Sequence, residues 1–179
     1  MNHEDHVGLL RAGLDGIAPG ERWADVGAGS GAFTLALADL LGAGASLVAI
    51  DRDAAALERN ARTMAARFPD VAFETLVADM TDPPERAPLD GLVAANSLHF
   101  VARERQAGTV RRLAAMVRPG GRFLVVEYDA DRGNPWVPHP FSFESWRRLA
   151  AEAGLRDTTR IGRVPSRFLG AIYAAASRI

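Results

Sequence analysis

The chain has 179 residues, room for one domain with a sizeable core, and 48% of them are hydrophobic against 24% charged, the balance of an ordinary water-soluble globular protein. Its 21 cationic residues, all arginine and scattered along the chain, meet 22 carboxylates for a formal net charge of −1, so no overall field draws it to nucleic acid or anionic membrane. The absence of cysteine excludes disulfides, thiolate metal sites and thiol nucleophiles. No apolar run approaches the roughly 18 residues of a membrane span, and the polar start MNHEDH is unlike a signal peptide, so a cytoplasmic setting is expected.

Residues 4–17 place Val7, Leu10, Leu14 and Ile17 at helical spacing, predicting an amphipathic helix closed by Pro19-Gly20. The stretch 23–37, WADVGAGSGAFTLAL, is the one that organises the chain. A short apolar run carrying Asp25 breaks into Gly27, Gly29 and Gly31, and a helical apolar pattern follows at once. Strand, glycine turn and helix in that order set a bare main chain against a helix amino terminus, where a ligand can approach without meeting a Cβ. Residues 47–50 form a buried strand ending at Asp51, and a helix over 53–67 has Asp53 as its cap. A third strand, 71–77, ends at Ala78-Asp79-Met80. Three prolines in 81–88 leave the next helix short or missing.

A fourth strand over 89–95 leads into Asn96-Ser97-Leu98-His99-Phe100. A helix over 104–117 is expected to stop at Pro119-Gly120-Gly121, ahead of a fifth strand over 122–128. The proline-rich loop 129–140 is the longest irregular piece, followed by a helix over 143–153 capped by Ser142 and stopped by Gly154. Strand-like runs at 155–161 and 168–175 are too close for a helical crossover, so they pair antiparallel at one edge. Alternating strands and helices predict a doubly wound parallel sheet in a single domain spanning 1–179.

The glycine signal is ambiguous on its own. Gly27, Gly29 and Ala32 also satisfy the dinucleotide fingerprint G-x-G-x-x-G/A, and a strand-to-helix turn with no ligand remains open. Asp51 suits ribose hydroxyls in either nucleotide reading, or it caps the next helix; Asp79 and Asp82 are equally at home as turn residues, and Met80 as core filler.

Four pieces taken together narrow the choice. DVGAGSG, VAID, VADM and RPGGRFLVVE occur in the order and spacing of the class I S-adenosylmethionine-dependent methyltransferases, and the chain resembles that family from residue 23 to its carboxyl end. The resemblance implies a Rossmann-like α/β fold in three layers, a doubly wound seven-stranded mainly parallel sheet with an antiparallel C-terminal hairpin. It also implies S-adenosylmethionine as cofactor. Gly27, Ala28, Gly29, Ser30 and Gly31 would hold its methionine portion, with Phe33 and Asp25 supporting. Asp51, followed by Arg52, would accept from the ribose hydroxyls, Asp79 from the adenine amine, and Met80 would line the ring. Asn96 and Ser97 would meet the methionine end.

Methyl transfer from a sulfonium is an in-line displacement, so alignment is the main task, and a base is needed only where the acceptor must lose a proton. His99, after the fourth strand, has a suitable ordinary pKa, though it also reads as a helix-start residue. Glu127 reads as a loop anchor. The expected acceptor pocket comprises His99, Phe100, Tyr128, Trp136, His139 and Phe141, with Phe100, Trp136 and Phe141 as apolar walls. The first helix (residues 1–20) and the loop 129–140 are expected to act as its cover. The sequence NSLH departs from the proline-rich signature of members acting on DNA adenine or protein glutamine, and the cysteines of arsenic-methylating members are absent. The expected partner is a small-molecule acceptor methylated at oxygen, nitrogen or carbon, without nucleic acid, membrane or metal, and with a homodimer left open.

Overall fold

The computed structural model describes residues 1–85 and 88–179. It contains seven strands: β1 (Arg22–Val26), β2 (Ser46–Asp51), β3 (Ala72–Val77), β4 (Leu89–Ala95), β5 (Val117–Tyr128), β6 (Arg156–Ser166) and β7 (Gly170–Arg178). They form one sheet in the order β3-β2-β1-β4-β5-β7-β6. β1 to β5 run parallel, whereas β7 lies antiparallel to both β5 and β6. The expected sheet and closing hairpin are both present.

Two helical layers cover the sheet. On one face, α1 (His3–Arg11), α2 (Ala32–Leu41) and α3 (Ala54–Arg67) bring Leu10, Leu37 and Met64 onto Trp23, Leu47 and Leu124. On the other, α4 (Arg103–Ala114) and α5 (Phe143–Glu152) pack Leu113 and Trp146 onto Val26, Phe123 and Tyr173. Central strands enclosed on both faces carry apolar side chains without alternation, as β1 and β4 do. Helix starts follow capping chemistry: Asp53 accepts the Ala56 N–H at 3.0 Å and Ser142 the Ser145 N–H at 3.2 Å. No helix among the described residues is long and apolar enough to cross a membrane.

Several boundaries differ from expectation. The first helix ends at Arg11 and continues as a 3-10 turn over Ala12–Leu14, where the Arg122 guanidinium donates to the Gly13 and Asp15 carbonyls. The helix expected over 104–117 stops at Ala114. Val117 already pairs with Leu89, and a register shift before Gly91 and Arg122 accommodates Pro119-Gly120-Gly121 inside the strand. The closing strands run on to Ser166 and Arg178 because their pairing continues along both. In the crossover from β3 to β4, Thr81 and Asp82 form a turn, while Arg86 and Ala87, within the stretch expected to have a short or missing helix, lie outside the described residues.

One packing constraint joins the two central strands. Gly91 on β4 lies against the fully buried Trp23, and a Cβ there would meet the indole at 2.5–2.7 Å. Gly91→Ala is therefore expected to lower stability by about 1–3 kcal/mol through overpacking. Urea denaturation at neutral pH measures it, and an unchanged midpoint would show that the indole moves aside freely.

Candidate active site

The parallel strands end together at one edge, and there the glycine turn leaves β1. Gly27 and Ala28 donate their N–H groups to the Ile50 carbonyl on β2, at 2.8 and 3.1 Å, so the turn is clamped to its neighbour. Gly27 has φ +73, and a Cβ at this position would lie 2.3 Å from the Ser97 Cβ and 2.8 Å from the Met80 Cε. Gly29, at φ +51, has nothing within 4 Å of where a Cβ would stand. The turn is thus tight toward β3 and β4 and open at its middle. Such a surface can meet a ligand main chain to atom.

Acids surround the turn. The Asp51 carboxylate accepts from the Gly29 N–H at 2.8 Å and the Asp53 N–H at 2.9 Å. A carboxylate offers roughly four acceptor positions, so two remain. Asp79 accepts from the Thr81 N–H at 2.8 Å. That main-chain bond, aided by the Thr81 hydroxyl and by Arg52 and Arg105, keeps its pKa below the ordinary value and the group ionised. Asp25 is different: it is buried, its Oδ2 accepts from the Thr34 hydroxyl at 2.6 Å, and burial pushes its pKa up to about 7. Thr34 in turn accepts from the Asn60 amide at 2.9 Å, while a Cβ at Gly31 would strike that same amide. Thr34 and Asn60 escaped the sequence reading. The signal was present for Asn60, a polar residue on the buried stripe Leu57, Asn60, Met64 of α3.

Gly27, Gly29, Asp51, Arg52, Asp79, Met80, Asn96, Ser97 and Phe100 line one cavity of about 540 Å³, with Val101, Ala102 and Arg105 along its α4 side. Asn96 holds a left-handed backbone, φ 49, anchored by its N–H to the Val126 carbonyl at 2.8 Å, and its Oδ1 is sealed without a partner. The Ser97 hydroxyl donates to the Val26 carbonyl at 2.9 Å. Asp25 and Phe33 lie behind the turn, Phe33 packing in the core with its ring 4.7 Å from His6. Ala28 and Ser30 complete the turn, and Ser30 is exposed.

The residues expected on the acceptor side divide. His99 is only 3% exposed, and its Nδ1 lies 2.9 Å from both oxygens of Glu127, which is 0% exposed. No described residue hydrogen-bonds to His99 Nε2, and it is not among the sealed unpartnered atoms. The Phe100 and Tyr128 rings lie 4.3 and 5.8 Å from the imidazole. His139 uses its main chain, donating N–H to the His99 carbonyl at 3.0 Å and accepting from the Gln106 amide at 2.8 Å.

Phe141, expected as a pocket wall, is instead a core residue stacked on Trp146 at 5.6 Å. The loop turns inward after Pro140 to start α5, which carries the ring with it. Trp136 is 74% exposed and lines no part of the cavity. α1 also contributes nothing to the lining, because Val7, Leu9 and Leu10 fix it to the core.

Comparison with known proteins follows from this geometry. Residues 24–121, more than half the chain, match the family described as methyltransferase domain, and the chain belongs to that family. No curated protein matches it by sequence. Among solved structures, it superposes on the YcgJ protein of Bacillus subtilis with a TM-score of 0.77 at 14% identity, covering 98% of both chains. It is also similar to the N-methyltransferase NodS of Bradyrhizobium japonicum, solved with S-adenosylhomocysteine, with a TM-score of 0.74 at 19% identity over 98% of this chain and 85% of that one. An O-methyltransferase family 2 protein of Planctomyces limnophilus, solved with apigenin, matches with a TM-score of 0.74 at 20% identity, over 99% of this chain and 57% of its own. At these identities the likeness shows the shared fold.

Asp25 makes a pH prediction. An acid whose pKa rises from 3.8 to about 7 on folding binds more protons in the native than in the unfolded state between those values, so its contribution falls as pH climbs through that window. Asp25→Asn keeps a polar group beside Thr34 and removes the titration. Urea melts at pH 5 and pH 8 should show a smaller loss of stability with rising pH in the variant than in the parent. Equal losses would show that Asp25 titrates like an exposed acid.

Proposed function

We propose that this chain transfers a methyl group from S-adenosylmethionine to a small-molecule acceptor whose reacting group gives up a proton. The observation that carries the reading is the convergence of an open glycine turn, two partly free carboxylates and an unpartnered Asn96 oxygen on one cavity. That donor set fits the cofactor. Asp51 has acceptor positions left for a ribose diol, ionised Asp79 for an amine, and Met80 an apolar flank for a purine. Main chain at Gly29 and the Asn96 oxygen are left to the amino-acid end. The likeness to NodS, whose structure holds S-adenosylhomocysteine, supports the same choice.

When bound, S-adenosylmethionine supplies a methyl group on a positively charged sulfur that is already electrophilic. The chain has to orient the acceptor and accept its proton. His99 suits the second task, since its Nε2 is unpartnered at the end of β4, next to Asn96 and Ser97 on the cavity wall. The aromatic rings around it, Phe100 and Tyr128, favour a planar acceptor such as a phenol. A nicotinamide cofactor is disfavoured by β7, which reverses a sheet that dinucleotide enzymes keep parallel in the order 3-2-1-4-5-6.

Calorimetry with S-adenosylhomocysteine and with NAD tests the cofactor. Asp51→Ala should weaken S-adenosylhomocysteine binding by about 1.5–3 kcal/mol, the scale of hydrogen bonds to a charged group. NAD binding, or no loss on substitution, would overturn the assignment. For the chemistry, His99→Asn should lower methyl transfer to a phenol panel by roughly 100-fold or more with S-adenosylhomocysteine affinity unchanged. A few-fold effect would leave positioning as the whole mechanism, and no product from the parent with any acceptor would favour a binding module.

A further inference from the structure

The buried pair on the acceptor side allows one step further, and it rests on the reading of His99 as proton acceptor. Glu127 stands at the end of β5 with no exposed surface. Both its oxygens face His99 Nδ1 at 2.9 Å, and Oε1 also accepts the Tyr128 main-chain N–H at 2.7 Å. Two proton arrangements fit a carboxyl and an imidazole at that distance. In one, a carboxylate accepts from Nδ1–H and Nε2 keeps its lone pair. In the other, a neutral acid donates to Nδ1 and Nε2 bears the hydrogen.

The Tyr128 N–H decides between them. A peptide N–H cannot change its role, and donation to the same carboxyl favours the charged form. The rings of Phe100 and Tyr128 flank the imidazole. The His99 carbonyl is tied to the His139 N–H, so the residue is fixed at main chain and side chain alike. The other ionisable groups nearby are Tyr128, Tyr173 opposite Glu127 on β7, Asp129, Asp131, His139, Arg103 and Arg163. Burial raises the pKa of both tyrosines. Asp129 is engaged with Arg163 and the Phe143 N–H, Asp131 with Ser142, and Arg103 with the Asp131 carbonyl. None of these side chains hydrogen-bonds to Glu127 or to the imidazole.

We propose that Glu127 is a positioning residue: by accepting the Nδ1 proton of His99 it fixes the tautomer whose Nε2 takes the proton of the methyl acceptor. The acceptor O–H bond breaks, its electron pair stays on oxygen to attack the methyl group, and the proton ends on Nε2. The resulting imidazolium is held against a carboxylate already in place, as in other orienting carboxylate–histidine pairs.

Nitrogen-15 NMR of the full chain, labelled at histidine and saturated with S-adenosylhomocysteine at pH 8.5, reads the tautomer directly, with His99 assigned by its absence in His99→Asn. The parent should show Nδ1–H. Glu127→Gln, whose amide can donate to Nδ1, should move the proton to Nε2 and lower methyl transfer to the phenol panel by about 100-fold or more, with S-adenosylhomocysteine affinity intact. Glu127→Asp keeps a carboxylate and should keep the parent tautomer. An Nε2–H imidazole in the parent, which needs no variant to observe, or an unchanged tautomer in Glu127→Gln would overturn the proposal. The turnover of His99→Asn separately judges the proton-acceptor reading, so the two failures are distinguishable.

Discussion

Three strand ends meet at Gly27, and the space left between them admits no side chain. Its notional Cβ would strike Ser97, at the end of β4, and Met80, just past β3, at less than 3 Å, while its N–H is bound to the end of β2. That close approach shapes the site. It brings Asp51, Asp79 and Asn96, each just past or at a strand terminus, around one volume, and the next glycine but one opens onto it. The rest of the fold serves this junction: parallel strands end in register at one edge, and helices covering both faces leave that edge clear.

Three carboxylates near the turn have separate electrostatic fates, set by solvent and main-chain donors. Asp79, near water and bonded to a peptide N–H, stays charged. Asp51 is spread over two N–H groups and keeps acceptor capacity. Asp25, lying behind the turn, has only hydroxyl support and carries the burial penalty on its charge, with Asp51 adding like-charge repulsion. A site for a cofactor with a positive sulfur and an amino group gains from acids at its wall. The same acids repel one another when it is empty, so holding Asp25 near neutrality eases that repulsion.

Most of the fold was legible because its signals are local. Glycine punctuation, apolar runs of strand length, capping residues such as Asp53 and Ser142, and the spacing of the last two strands each depend on a few neighbours in sequence. The boundary at Val117 was not, since Pro119-Gly120-Gly121 reads as a stop and only pairing with β4 and the chain end makes it part of a strand. On the cofactor side, each acid sits at a strand end, which sequence can locate. On the acceptor side the contacts are long-range. Nothing in the order of residues says that Glu127 reaches back to His99, or that Phe141 turns into the core while Phe100 turns out. A charged residue inside the apolar run FLVVEY was the available sign, because a sealed carboxylate requires a partner.

The two halves of the site also differ in how they meet solvent. The glycine turn and its acids lie in a defined cavity, but the acceptor side has an exposed rim, with Phe100 at 59% and Trp136 at 74%. The helix and loop expected to cover it are committed elsewhere, α1 to the core and the end of the loop to α5. Proton transfer to an imidazole works best where water is kept away from the reacting atoms. His99 meets that need by lying beneath the rim, 3% exposed and flanked by two aromatic rings. A flat apolar acceptor stacked against Phe100 would complete the exclusion with its own surface, so acceptor shape substitutes for a lid in admitting the reaction.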